Sequence, residues 1–221
     1  MNQFLPFLNW IENQADSQRL MIKAWAEINT FSTNVNGILQ MTTRLLDDFK
    51  QLDGQQTLID LPSWTTFERG QPLEKNLGPL LRIIKRPSAP IQVLLGGHMD
   101  TVFSPSSPFQ SITERGKDSW VGPGLTDMKG GLGIMLIALA AFERAPISKN
   151  VGWEILINPD EEIGSPGSTP TSARTSMTVA SPGGRSSWHA VVSSCTTRST
   201  ACATSRPACR SRTTRSGGSS A

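Results

Sequence analysis

Residues 91–100 read IQVLLGGHMD, an apolar run that ends in a histidine and an aspartate two positions apart. The apolar residues run together instead of alternating, which is the pattern of a strand buried on both faces, as in a parallel sheet. In extended chain, residues two apart project to the same side, so His98 and Asp100 share a side at the strand's carboxyl end. A carboxylate placed there can hold an imidazole in one tautomer and raise its basicity, the usual support for a metal-bound histidine. A structural, hydrogen-bonded histidine near a strand end fits the same residues.

The flanking sequence extends this strand into a crossover unit. DMKGGLGIMLIALAAFERAP reads as a helix that starts after Asp127 and stops at Pro146, and NVGWEILINP reads as a second buried strand ended by Pro159. Strand, helix and strand in that order imply a largely parallel α/β sheet with helices on both faces. Upstream, QTLIDL and PLLRIIK are strand-like. The first 53 residues carry two helical patterns, Leu20, Ala24, Ile28 and Phe31, then Ile38, Met41, Leu45, Phe49 and Leu52, separated by STNVNG.

In open α/β sheets, sites form beyond the carboxyl ends of the strands. The polar clusters lie there: HMD after one strand, NPDEE after another, and GPGLTDMKGG leading into the helix between them. Asp127 suits either a helix cap or a metal ligand. Glu161 and Glu162 suit either a solvated pair or a site. Together, His98, Asp127 and the two glutamates offer nitrogen and oxygen donors of the kind zinc accepts, with one glutamate to spare as a general base.

GGHMDTV, GPGLTDMKGGL and INPDEEIGSPGS, in this order and at these separations, resemble the dinuclear zinc metallopeptidases that include acetylornithine deacetylase, succinyl-diaminopimelate desuccinylase, aminoacylase and glutamate carboxypeptidase. The similarity covers roughly residues 10 to 168, the N-terminal part of such a catalytic domain. By that resemblance His98 binds one zinc, Asp100 orients it, Asp127 bridges two metals, Glu161 is the general base and Glu162 binds the other zinc; cobalt is a possible substitute. The implied reaction is hydrolysis of an amide bond in an N-acyl amino acid or small peptide.

Residues 169–221 differ in kind from residues 1–168. The first 168 residues carry 14 Lys or Arg against 18 Asp or Glu, whereas the last 53 carry seven Arg and no acid. This tail holds 23 Ser or Thr and no Leu, Ile or Phe, a composition expected to be disordered. Cys195, Cys202 and Cys209 all lie in it and are expected to be unpaired thiols. The family's later acidic ligand, inserted dimerisation domain and late histidine have no counterpart here, and His189 is in surroundings unlike theirs. The tail reads as out of frame or as a genuine extension, and the chain as given is expected to be inactive; the alternatives are an inert fragment or a basic-tail nucleic-acid binder. With one aromatic residue in the tail and no binding fold, no nucleic-acid partner is expected. No membrane partner is expected either, since no apolar run reads as approaching the roughly 18 to 20 residues needed to span a bilayer. Without a signal-peptide pattern, a cytoplasmic location follows by default.

Overall fold

The computed structural model describes residues 3–116 and 119–170, and the backbone of residues 189–191. The N-terminal region forms three helices: α1 (Leu5–Glu12), α2 (Ala15–Ala26) and α3 (Val35–Phe49). The first sequence pattern overreaches. α2 ends at Ala26, so Ile28 and Phe31 lie beyond it; Leu20 is 69% exposed, and the helix buries Trp25 and Ala26 instead. α3 starts inside the STNVNG break, where the Asn34 side chain accepts the N–H of Gly37 and caps it.

The main sheet contains β1 (Gln55–Ile59), β4 (Leu80–Lys85), β5 (Ile91–His98), β8 (Val151–Asn158) and β9 (His189–Val191), in the order β1-β4-β8-β5-β9. Between β1 and β4, β2 (Trp64–Glu68) and β3 (Gln71–Lys75) form a separate hairpin, and β6 (Thr113–Glu114) pairs with β7 (Trp120–Val121). The expected crossover is present: β5 leads through α4 (Gly130–Phe142) to β8, and the two strands pair in parallel. The sheet as a whole is mixed. β1 with β4 and β4 with β8 are antiparallel, whereas β8 with β5 and β5 with β9 are parallel. The reason lies in the connection from β4 to β5, residues 86–90, which is too short for a crossover. β4 must run opposite to β5, and therefore opposite to β8.

One face of the sheet carries the core. Leu81 and Ile83 of β4 stand in register with Ile157 and Ile155 of β8, and Val93 and Leu95 of β5 with Trp153 and Ile155. These residues cluster with Trp25 of α2, Ile38, Met41, Leu45 and Phe49 of α3, and Leu132, Leu136 and Leu139 of α4. The helices of this cluster cover that face. At the alternate positions, Arg82 of β4 and Glu154 of β8 form an ion pair at 2.8 Å. Gly97 permits a close approach on the helical side: a Cβ there would stand 2.7 Å from Leu132 Cδ2 and 3.1 Å from Met128 Cε.

α4 also corrects the expectation about apolar runs. Leu125–Phe142 spans 18 residues at a mean hydropathy of 1.5, enough by length and composition to cross a membrane. Here α4 supplies Leu132, Leu136, Leu139, Ala140 and Ala141 to the buried set, as the core helix of the crossover from β5 to β8. Of the tail, the described parts are residues 169–170 and the backbone of β9; Cys195, Cys202 and Cys209 lie outside the described residues.

Candidate metal centre

The site is assembled at the carboxyl ends of β5 and β8 and at the entrance to α4. His98 is the last residue of β5, in register with Asn158, the last of β8. Asp127 lies in a wide turn, Leu125–Lys129, that precedes α4, and its backbone (φ -131°, ψ 99°) is not helical. The N-cap position of α4 belongs to Lys129, so Asp127 does not cap that helix; the turn presents its side chain, 64% exposed, to the end of β5. Glu161 and Glu162 open a single 3₁₀ turn after β8.

These four side chains converge. His98 Nε2 lies 2.9 Å from Asp127 Oδ1 and 3.9 Å from Glu161 Oε2. Ligand atoms of His98, Asp127 and Glu162 all lie within 4.8 Å of one another. Donors bonded to one ion at about 2.1 Å stand roughly 3–4 Å apart, so small rotations would bring the three onto a common cation.

Asp100 is completely buried and is not a member of that trio. The His98 ring nitrogen Nδ1 faces the Asp100 backbone carbonyl at 3.1 Å and its carboxylate Oδ1 at 3.3 Å. The same carboxylate reaches further. Its Oδ1 accepts the backbone N–H of Glu161, and its Oδ2 accepts that of Glu162, each at 3.1 Å. Ser32 completes the set by donating its hydroxyl to Asp100 Oδ2 at 2.7 Å. A neighbouring carboxylate, Asp160, is also fully buried and accepts the N–H groups of Gly167 (2.8 Å) and Ser168 (3.0 Å). It closes the loop that carries the two glutamates, with Gly164 (φ 89°) in the left-handed conformation the turn requires.

The electrostatics describe a site rich in negative charge. Burial alone would lower the His98 pKa, but hydrogen bonds and charge from Asp100 and Asp127, with the nearby charge of Glu161, outweigh it and raise the value to about 9. Burial raises the Glu162 pKa, and the carboxylates of Asp127, Asp100 and Glu161 add to the rise against the opposing pull of His98. Carboxylates gathered this closely repel one another, and a cation relieves that repulsion.

Ser32, Lys129 and Asp160 are the residues that sequence reasoning left without a role. Lys129 is fully buried two positions after Asp127, and its Nζ donates to the carbonyls of Trp25 (3.0 Å) and Ile28 (2.8 Å). Desolvation lowers its pKa to about 7. Lys129 and Asp160 sit inside motifs that were read for their neighbours. Ser32 had no signal beyond a helix break.

Comparison with known proteins adds to this geometry. The sequence profile of Peptidase family M20/M25/M40 matches residues 94–194. No curated protein matches the chain in sequence. Among solved structures, human carnosine dipeptidase 1 is similar at a TM-score of 0.67 and 19% identity, over 81% of this chain and 39% of that one. The di-peptidase Dug1p from Saccharomyces cerevisiae is similar at 0.59 and 17% identity, over 74% of this chain and 36% of its own. The M20 family metallo-carboxypeptidase Sso-CP2 from Sulfolobus solfataricus follows at 0.57 and 18% identity, over 73% and 35%. At such identities the likeness is one of fold, and the chain spans between 35% and 39% of the length of these three proteins. The profile match to Peptidase family M20/M25/M40 spans the whole His98, Asp100, Asp127, Glu161 and Glu162 constellation, and the three sequence motifs lie within it.

Proposed function

We propose that this site serves the zinc-dependent hydrolysis of an amide bond in a small peptide or N-acyl amino acid. The observation that carries the reading is the convergence of His98, Asp127 and Glu162, with Glu161 beside them and 54% exposed. One imidazole nitrogen and two carboxylates form a donor set suited to zinc, with cobalt as a substitute. The names of the similar structures, two dipeptidases and a carboxypeptidase, favour a small peptide as the substrate.

In this reading, His98, Asp127 and Glu162 would supply the metal ligands, with Asp127 placed to be shared where two ions occupy the site. A divalent cation supplies Lewis acidity, which polarises a carbonyl and acidifies water. Glu161 takes the proton from the attacking water and delivers it to the departing amine. Asp100 orients the His98 ring and, through the two N–H bonds, holds the backbone from which both glutamates project. Keeping Glu161 out of the ligand set leaves its carboxylate available for proton transfer.

The test is hydrolysis of dipeptides and N-acyl amino acids, with zinc added and with a chelator, by the native protein and by Glu161→Gln. Zinc-dependent cleavage that falls by a factor of about 10² to 10⁴ in Glu161→Gln, with zinc still bound, supports the assignment. Equal, measurable zinc-dependent turnover in the two proteins would sink it.

A further inference from the structure

The ammonium of Lys129 is fully buried and, among the described residues, has backbone carbonyls and no carboxylate as its partners. Taking an ammonium out of water is costly, and two neutral acceptors compensate for it only in part. An apolar side chain of similar length would fill the same volume without that penalty, so packing does not account for a lysine here.

Its connections do. The Lys129 N–H donates to Gly124 O at 2.7 Å and so closes the wide turn on which Asp127 sits. Its stem passes beneath Gly124, where an added Cβ would stand 3.1 Å from Lys129 Cδ. Its Nζ reaches the carbonyls of Trp25, in the last turn of α2, and of Ile28, just beyond it, where the negative end of the helix dipole favours a cation. The segment that leaves α2 goes on to accept Thr101 N–H at the Thr30 carbonyl (2.8 Å) and to donate from Ser32 to Asp100 (2.7 Å). One stretch of chain, residues 25–32, is thus fastened by Lys129 to the turn of one candidate ligand and by Ser32 to the carboxylate that orients another.

We propose that Lys129 is a positioning residue of the metal centre: it pins the Asp127 turn to the end of α2, so that the Asp127 carboxylate meets His98 and Glu162 in ligand geometry, at a cost in stability. The proposal rests on the metal-site reading given above. It separates two properties that a purely structural residue would move together, the metal affinity and the stability of the metal-free protein.

The experiment uses the full 221-residue chain, native and with Lys129→Met or Lys129→Gln. Zinc affinity is measured by competition with a chromophoric chelator, cobalt geometry by its visible absorption bands, and stability by thermal unfolding without metal. Lys129→Met is expected to weaken zinc binding roughly tenfold, the lower end of what loss of an outer partner of a ligand costs. It should also alter the cobalt bands while leaving the metal-free melting temperature equal to or above the native value. Lys129→Gln keeps an N–H donor and should fall between the two in affinity. Native zinc affinity in both variants would overturn the proposal. So would a lowered melting temperature or a failure to fold in Lys129→Met, since the lysine would then be structural. A native chain that takes up no zinc at all would overturn the metal-site reading, and this proposal with it.

Discussion

The buried carboxylate of Asp100 accepts the backbone N–H of Glu162 at 3.1 Å, so a side chain just beyond β5 determines where the acidic turn after β8 begins. Its other oxygen does the same for Glu161. The first and third motifs of the site are therefore one hydrogen-bonded unit, although more than 60 residues separate them in the chain.

Replacing Asp100 by Asn tests that unit. An amide nitrogen would face either the Ser32 hydroxyl and the Glu162 N–H or the His98 ring and the Glu161 N–H, and one acceptor is lost in a fully buried position. We expect a stability loss of about 1–3 kcal/mol from the unmatched buried donors. Zinc affinity should fall by about 10 to 100-fold, because the support of His98 and the placement of Glu162 fail together. Unchanged zinc affinity in Asp100→Asn, measured by chelator competition, would mean that the carboxylate organises nothing at the site.

Glu143 gives a prediction about pH that is independent of the metal centre. It follows α4 and receives Arg86, Lys85 and the Trp153 indole N–H, joining the helix end to β4 and β8. Burial would raise its pKa, but these partners outweigh burial and hold it at about 2, against an ordinary value of 4.5. A depressed folded pKa stabilises the fold fully above the unfolded value and loses that contribution as pH falls toward the folded one. Glu143 should therefore contribute about 3 kcal/mol above pH 4.5, lost progressively down to about pH 2. In Glu143→Gln, denaturant unfolding between pH 6 and pH 2 should show a correspondingly shallower loss of stability. Parallel curves for the two proteins would contradict the assignment.

The core predicts a third result. Leu136 of α4 is 1% exposed and belongs to the buried cluster that joins the helices to the sheet. Leu136→Ala removes buried methyl groups and leaves a cavity, with an expected loss of 2–5 kcal/mol, read from the denaturant midpoint. A loss below about 1 kcal/mol would place this helix outside the cooperative core.

The parts of this fold that were legible in the sequence are those whose signal is local. β5, α4 and β8 appear as largely apolar runs set off by Gly or Pro, although only β8 is buried along nearly its whole length, and Ile91 of β5 and Ile134 of α4 are exposed. α1 was missed, since eight residues with a proline near the start carry little periodicity. The β2–β3 hairpin was missed as well, although Arg69 and Gly70, both at positive φ, are the two-residue turn between its strands. Strand direction was misjudged at β4 because it depends on the length of a connection and on which strand lies between.

The site divides in the same way. His98, Asp127, Glu161 and Glu162 announce themselves by chemistry at strand ends. Ser32 and Lys129 act on chain 68 and 104 residues away, and neither a hydroxyl nor a lysine carries any mark of burial in sequence. Their contribution depends on tertiary contacts alone.

The central claim is that His98, Asp127 and Glu162 together hold a divalent cation. The most direct measurement is zinc titration of the native chain beside His98→Ala, Glu162→Gln and Glu161→Gln. We predict saturable binding in the native protein, loss of at least tenfold in affinity in the first two variants, and near-native affinity in Glu161→Gln, whose side chain is outside the ligand trio. Zinc binding that is absent from the native protein, or that survives unchanged in His98→Ala and Glu162→Gln, would contradict it.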